Sequence, residues 1–543
     1  MLYKQKILEE IKSVIDQLND GSIQPSLERT KVKEHGDVTT NIAMILAKTQ
    51  KRNPIEIANE IKEKIKAEKE LISHIEVAKP GFINFTVGDY ALSESLIGAL
   101  NSGQNFGFAP KNTKEKVLVE YVSANPTGDL HIGHGRQAAI GSSLINLLEA
   151  SGCNVSSEFY INDYGEQIEK LSETAWAINT KLQGKDVEWK DDLYPEENIL
   201  PYVNKIIGTN KEITKENLCN AIKDLILKSQ KELLSNCRVV FNNWFSETDL
   251  HKNNKTNEVL EKLKEKNCTY EHENALWFKA KEFGDSRDRV LIRSDGRGTY
   301  LLADVAYHID KFKRSNKLIT IWGADHHGQE VSLKGALKAL GYDEKNLEII
   351  FVQLVSLKKE GQEVKMSKRT GEVVTVQDVI NEVGVDAFRY FLVETHANNR
   401  MIFDIALAKK QDKDNPVYYI QYAHARCCSL FRQASYRHTE ASESLLMELF
   451  KTNNQEYNVT KSLVLRILDF PEEVKLAALN RAPNRITNYL KDLSTDFHQF
   501  YTYCRVITKA NELTQARLAL IQATKITIAN GLKILGISAP EAM

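Results

Sequence analysis

VLVEYVSANPTGDLHIGHGR, residues 117–136, is the stretch on which the reading of this chain turns. Its first six residues, Val117 to Val122, are β-branched, aromatic and aliphatic, the composition that fits a pleated strand. A polar turn holding Asn125, Pro126 and Gly128 follows, and an amphipathic stretch from about Gly135 to Ala150 stops at Gly152. Strand, glycine-containing loop and helix in that order form the opening unit of a nucleotide-binding α/β fold. His131 and His134, spaced i and i+3 around Gly133, fall on one face at the start of the helix. Free backbone N–H groups there attract phosphate, and the two imidazoles can donate to a triphosphate as charge moves onto its bridging oxygen. Two isolated histidines fit equally well as one packed and one capping residue.

A second segment removes that ambiguity. KMSKRTG, residues 365–371, follows a strand-like run and polar turn, LVSLKKEGQEV. Lys365, Lys368 and Arg369, with Met366 and Ser367 among them and Gly371 as a hinge, suit a mobile loop that neutralises a pyrophosphate leaving group without a covalent intermediate. A basic loop alone is usually solvated surface. His-x-Gly-His after a first strand, with Lys-Met-Ser-Lys about 230 residues later, is a far narrower coincidence.

At 543 residues the chain exceeds the ~250–300 at which one core stops growing, so several domains are expected. With 42% hydrophobic and 27% charged residues it has the composition of an ordinary globular protein. No apolar run is read as approaching the ~20 residues of a membrane span, and the charged opening MLYKQKILEEIKSVI does not resemble a secretion signal. A cytoplasmic protein without a membrane partner is expected. Seven cysteines with no Cys-x-x-Cys pair argue against a disulfide framework and a thiolate zinc site, so no protein-bound structural metal is expected. A net charge of −1 by itself disfavours a nucleic-acid partner. Residues from about 405 onward, however, carry about +5, balanced by an acidic remainder.

Three regions follow. Residues 1–108 read as a small α+β domain. Ile7, Ile11, Val14 and Leu18 mark an amphipathic helix, Asn53 and Pro54 start a second with Ile57, Ile61 and Ile65 on one face, and VAKPGFINFTV has the period of a strand. Asn101 to Lys114 read as a linker. Residues 109–404 read as a Rossmann-type parallel-sheet domain with a largely helical insertion at about 180–285, strands resuming at Val290 to Arg293, Leu318 to Trp322 and Leu347 to Leu354. Residues 405–543 read as an all-α domain. The expected class is multidomain α/β.

Beyond the two motifs, the chain carries HGDVTTNIAMILAK and PGFINF near its start, NDYGEQ after the second strand, WFSE in the insertion and GTYLLADVAYH. It also carries NPVYYIQYAHAR and the ending LALIQATKITIANGLKILGISAPEAM. Over essentially its whole length it resembles the class I aminoacyl-tRNA synthetases, and the arginyl-tRNA synthetases in particular. The two motifs are shared across the class; the N-terminal segments and the ending point to the arginyl family. The resemblance implies ATP as substrate with Mg²⁺ accompanying it, L-arginine and tRNA(Arg) as partners, and action as a monomer. It implies that His131, His134, Lys365 and Lys368 carry adenylate formation, with Gly133, Gly323, Asp325, Met366 and Ser367 at the nucleotide. The N-terminal domain would face the outer corner of tRNA and the helical domain the anticodon. Tyr418, Tyr422 and Arg426, beside Tyr419, Gln421 and His424, would stack on or bond to unstacked bases there, although any one aromatic at this spacing also fits a core position.

A guanidinium is planar and permanently charged, so its pocket must contain carboxylates. By the resemblance Asp304, with Tyr300 one turn before it, would hold that group, while Glu120, Asn125 and Gln329 would orient the amine and carboxylate of arginine. The competing fate of each acid is a partner for a nearby lysine. Asp325-His326-His327 also occurs in metal-dependent phosphoesterases, but the further carboxylates such a site needs are not found at ligand spacing. Two other readings stay open: a class I synthetase for another amino acid, and a non-catalytic tRNA-binding protein on the same scaffold. Cysteine would want a thiolate zinc site, a large apolar substrate would not want Asp304, and a non-catalytic protein would be expected to lose the two motifs.

Overall fold

Five parallel strands position the site: Asn112–Glu120, Cys153–Ile161, Asn243–Ser246, Lys317–Gly323 and Leu347–Val352. In the computed structural model, which describes all residues except 1, 19–22, 31–32, 209–212, 360, 365–373 and 435–440, they lie in the order fifth, fourth, first, second, third. The chain thus builds outward from its first strand in one direction and then returns to build on the other side. The crevice left at that reversal, outside the carboxyl ends of the first and fourth strands, is where open α/β sheets bind ligands. Val117, Val119, Phe159, Ile319 and Ile321 are buried to within a few per cent, as befits strands covered on both faces.

The segment 180–285 differs from its reading as a helical insertion. Helices Glu166–Leu182, Glu196–Ile207 and Lys215–Asn236 do form a satellite with its own core around Leu171, Ile178, Val203 and Ile222. But Asn243–Ser246, inside that stretch, is the edge strand of the central sheet. Four residues are too few to show a period, so the strand is visible only through its pairing. Arg289–Ile292, read as a return to the main sheet, instead joins Thr269–His272 and Ala275–Phe278 in a separate antiparallel sheet. Leu354 lies beyond the fifth strand and is exposed.

In the N-terminal part a four-stranded antiparallel sheet, with Phe82–Val87 paired between Val38–Thr40 and Ile72–Ala78, packs with helices Tyr3–Gln17 and Pro54–Lys64. Ile7, Ile11 and Val14 point into the core, and the Asn53 side chain accepts from the Ile55 N–H at 2.9 Å to start the second helix. Residues from Pro416 onward are helical: Pro416–Ala434, Asn454–Leu479, Asn484–Tyr503 and Asn511–Leu535 are the long elements. The last of these is long and apolar enough to cross a membrane, which corrects the expectation that no run approaches that length; 72% of its most apolar window is buried, and it is a core helix of the bundle.

Close backbone approach fixes the helix Ile132–Ala150 at the centre. A Cβ on Gly135 would come within 2.9 Å of Phe388, so the helix Val376–Val393 can pack directly against the histidine-bearing turn. Arg389, fully buried, donates to Ser142 Oγ, Cys237 O and Leu535 O, each at 2.8 Å, and so ties that helix to the inserted bundle and the C-terminal helix.

Candidate active site

The first strand ends in a strained exit. Val122 and Ser123 have φ of 70° and 43°, left-handed values that a β-branched residue adopts only when its surroundings enforce them. The Ser123 hydroxyl donates to Glu120 at 2.8 Å and accepts from the Tyr160 N–H at 3.2 Å, while Asn162 donates to the Ser123 carbonyl at 2.9 Å. Further along, His131 caps the helix, its Nδ1 accepting from the Gly133 N–H at 3.1 Å, and its ring stacks on that of His134 with centroids 3.8 Å apart. One histidine therefore does cap, and both still sit together at the helix N-terminus.

Lys365, Met366, Ser367 and Lys368 lie outside the described residues. The residue just beyond that stretch is informative: Thr375 is bridged to His131, and the Val376 N–H donates to Leu130 O at 2.8 Å. The described chain that follows thus runs beside the histidine turn at Thr375 and Val376. Arg136, also completely buried, supports the same arrangement by donating to the carbonyls of Gln353 and Asn399 at 2.8 Å and of His396 at 3.0 Å. Across the crevice, Gly323 ends the fourth strand and Asp325 is exposed in the helical turn Ala324–Gln329. His327 stacks on Phe351 with centroids 3.6 Å apart, and His326 pairs with an exposed Gln329 at 3.1 Å. Among the described residues no group of three His, Cys, Asp or Glu side chains is placed to hold a metal.

Over the first three strands the site is acidic. Asp304 lies one turn inside helix Tyr300–Arg314, half-buried, and forms no ion pair among the described residues. Burial, then the charge of Glu120, raises its pKa to about 7 against the opposing pull of Lys311. Glu247, which follows the third strand and is 5% exposed, is pushed up to about 8 by burial and by Asp304 and Asp163, with a hydrogen bond from Tyr160 opposing. Asp163 is held at the end of the second strand by the Ser246 hydroxyl at 2.8 Å and the Thr248 N–H at 2.9 Å. Tyr300, at the mouth and more than half exposed, feels the charge of Glu247. Carboxyls from three strand ends and one helix therefore converge where anions are costly, and a ligand cation is what would relieve them.

The structure sorts the expected residues. Tyr300, Asp304 and Glu120 come together; Glu120 is already engaged, with the fully buried Lys311 at 2.8 Å. Asn125 is half-buried, donates to Gln167 and offers its carbonyl to Gln230 at 3.1 Å. Glu247 and Asp163 were missed as pocket members, although both lie in quoted segments, WFSE and NDYGEQ. Only the sheet order brings them beside Asp304. In the helical domain Tyr418 and Tyr422 are stacked, centroids 6.4 Å apart, and Arg426 lies over Tyr422 and Tyr501 at 5.6 and 4.7 Å, all on one half-buried face. Gln421 and His424 are corrected: both are buried, bonded to Asp386 at 2.8 Å and to Pro540 O at 2.8 Å, and cannot reach a base.

A histidine turn at the switch point of a parallel sheet, with Thr375 and Val376 paired beside it, a Lys-Met-Ser-Lys sequence shortly before them in the chain and a helical C-terminal bundle, defines a class I aminoacyl-tRNA synthetase. Three family models match in succession: "Arginyl tRNA synthetase N terminal domain" over residues 2–87, "tRNA synthetases class I (R), catalytic domain" over 96–405 and "DALR anticodon binding domain" over 420–543. The chain belongs to the arginyl-tRNA synthetase family. It is 41% identical over 551 residues to an arginine–tRNA ligase of Staphylococcus epidermidis, covering 99% of both chains. A putative arginyl-tRNA synthetase structure from Campylobacter jejuni superposes with a TM-score of 0.75 at 35% identity, covering 84% of this chain and 100% of the other. The Thermus thermophilus arginyl-tRNA synthetase shares the fold, with a TM-score of 0.80 at 22% identity over 99% of this chain and 100% of that one.

Proposed function

We infer that the desolvated carboxyl cluster selects arginine and that the histidine turn with the basic segment drives its activation. The chain is an arginine–tRNA ligase that uses ATP. A carboxylate oxygen of arginine attacks the α-phosphorus of ATP, the bond to the bridging oxygen breaks, and pyrophosphate leaves. The carbonyl of the arginyl-adenylate is then attacked by a ribose hydroxyl of the terminal tRNA adenosine, releasing AMP. No side-chain nucleophile is required, because such chemistry rests on positioning and charge stabilisation.

Asp304 and Glu247, with Tyr300, take the guanidinium; Glu120 and Asn125 take the amino-acid end, together with Gln329 once it leaves His326. His131 and His134 donate to the triphosphate, with Gly133, Gly323 and Asp325 around the adenosine. Lys365 and Lys368, flanking Met366 and Ser367, neutralise the departing pyrophosphate. Mg²⁺ arrives as the counter-ion of ATP, and the reaction is cytoplasmic and carried out by a monomer. Tyr418, Tyr422 and Arg426 stack on anticodon bases, and the divisions 1–108, 109–404 and 405–543 separate the outer-corner, catalytic and anticodon duties.

The observation that supports the reading is the convergence of Asp304 and Glu247, two neighbouring carboxyls with raised pKa values that form no ion pair with a Lys or Arg among the described residues. Pyrophosphate exchange with each of the twenty amino acids, with and without tRNA, tests it. Exchange should be supported by arginine alone, and support by an apolar amino acid would sink it.

A further inference from the structure

Behind the acidic half of the site lies a cation with no assigned part in the reaction. Lys311 is completely buried on helix Tyr300–Arg314. Its Nζ donates to Glu120 Oε2 at 2.8 Å, to Thr320 Oγ1 at 3.1 Å and to His308 Nε2 at 3.1 Å, and lies 4.3 Å from the centroid of the Tyr307 ring. Three donors meet three acceptors, which fills the capacity of an ammonium. Because an ammonium can only donate, His308 Nε2 must accept, and the ring proton is left on Nδ1. That nitrogen then donates to the backbone carbonyl of Asp304 at 2.8 Å. Burial, and next the charge of Lys311, hold the His308 pKa well below its ordinary value, in keeping with a neutral ring of one fixed tautomer.

The network spans the ligand crevice. Thr320 and Glu120 are register partners across the fourth and first strands, and the second oxygen of Glu120 is held by Ser123. A buried lysine under a pocket for a cation opposes simple charge complementarity, so its presence calls for a function that outweighs that repulsion. We propose that Lys311 is a positioning residue of the arginine site: it fixes the Glu120 carboxylate against the crevice and, through His308, anchors the helical turn that presents Asp304. The two acids are thereby held at one spacing, matched to the two cationic ends of a single amino acid. Each Glu120 oxygen keeps a further lone pair for the ligand ammonium. This rests on the reading that Glu120 and Asp304 face arginine.

The other groups facing the network are Asp163 and Glu247 with Tyr160, and Glu158, which is itself bonded to Tyr307 and Arg314 at 2.8 and 2.6 Å. None of them supplies a second cation to Asp304. Pyrophosphate exchange by the full-length protein with tRNA present, at pH 6 to 9, with K311M, K311R, E120Q and the double variant E120Q/K311M, tests the assignment. K311M should raise the arginine KM at least about tenfold while the ATP KM changes less than about twofold, and K311R should stay within about threefold of the parent. The pH below which the arginine KM climbs should move upward in K311M, because Asp304 loses the cation that opposes its protonation. A folded K311M with the parent arginine KM and pH profile overturns the proposal, as does an equal rise in both KM values. Should K311M not fold, the double variant, which leaves no unpaired buried charge, must raise the arginine KM beyond E120Q alone, because the tie to Asp304 through His308 is lost as well, or the proposal falls. E120Q with an unchanged arginine KM would sink the underlying reading of Glu120 instead, which separates the two failures.

Discussion

The two halves of the crevice are built on opposite physical plans. Over the first three strands, Glu120, Asp163, Glu247 and Asp304 are buried or half-buried; Glu120 and Asp163 are bonded to neighbours, and Glu247 and Asp304 are pushed toward neutrality by desolvation. At the first and fourth strands lie the stacked His131 and His134, after the first, and Gly323 with the exposed Asp325, at the end of the fourth. The acidic half is complete in its protein contacts and needs only a cation. The other half offers dipoles, ring nitrogens and a helix N-terminus, with Thr375 bridged to His131. Under the proposed function, selection belongs to the desolvated acids and rate to groups that meet charge only as it develops.

The sharpest way to break that division is Asp304→Ala. Loss of the guanidinium partner in a desolvated site costs about 3–5 kcal/mol, so kcat/KM for arginine should fall by roughly two to three orders of magnitude, with ATP binding little changed. An equal loss for ATP, measured by equilibrium binding of the nucleotide, would abolish the distinction between halves. Lys368→Ala is the counterpart. Adenylate formation in a single turnover should slow by about 10²- to 10³-fold with arginine and tRNA affinities retained; normal single-turnover activation would remove Lys368 from its role.

These two residues also differ in how they could be read. The histidine turn and basic segment are short and contiguous, so although each alone is ambiguous, the two together are recognisable within a few letters. The acidic pocket assembles positions 120, 163, 247 and 304, and nothing in the linear pattern couples them. Asp304 and Tyr300 were legible as i and i+4 on a helix. Glu247 was not, because the strand that delivers it, Asn243–Ser246, has four residues embedded in a helical region, and its place in the sheet is set by pairing with Cys153–Ile161. Gln421 and His424 misled for the converse reason. Polar residues beside half-buried aromatics read as surface, yet Gln421 meets Asp386 across the domain junction and His424 meets Pro540 from the far end of its own domain, neither of which is visible locally in the chain.

Two smaller effects sharpen the comparison. Glu247→Gln keeps the volume and one acceptor but removes charge, so the arginine KM should rise by about 1.5–3 kcal/mol in equivalent terms with kcat for adenylation nearly retained. A drop in kcat without a KM change would move Glu247 out of the pocket. Away from the crevice, Tyr422→Ala removes a stacking face next to Arg426 and should weaken tRNA binding by about 1–3 kcal/mol while leaving the arginine KM unaltered; unchanged tRNA affinity in a filter-binding titration would return Tyr422 to a packing role.

The mildest test uses pH alone. Asp304 and Glu247 hold protons in the folded chain up to about 7 and about 8 that the unfolded chain releases near 4. Between those limits the folded state binds more protons, so the contribution of these two groups to stability falls as pH rises, and the ligand-free protein should gain from acidification in this window. A bound guanidinium reverses the sign, because it requires both carboxylates charged and releases their protons on binding. The rise in melting temperature produced by saturating arginine should therefore be larger at pH 8.5 than at pH 6, and the arginine KM should climb by up to about tenfold per unit below about 8 and by up to about a hundredfold per unit below about 7, where two protons compete. The KM for ATP should change far less over the same range. A thermal shift independent of pH, or a parallel climb in both KM values, would mean that the buried acids do not meet the substrate cation.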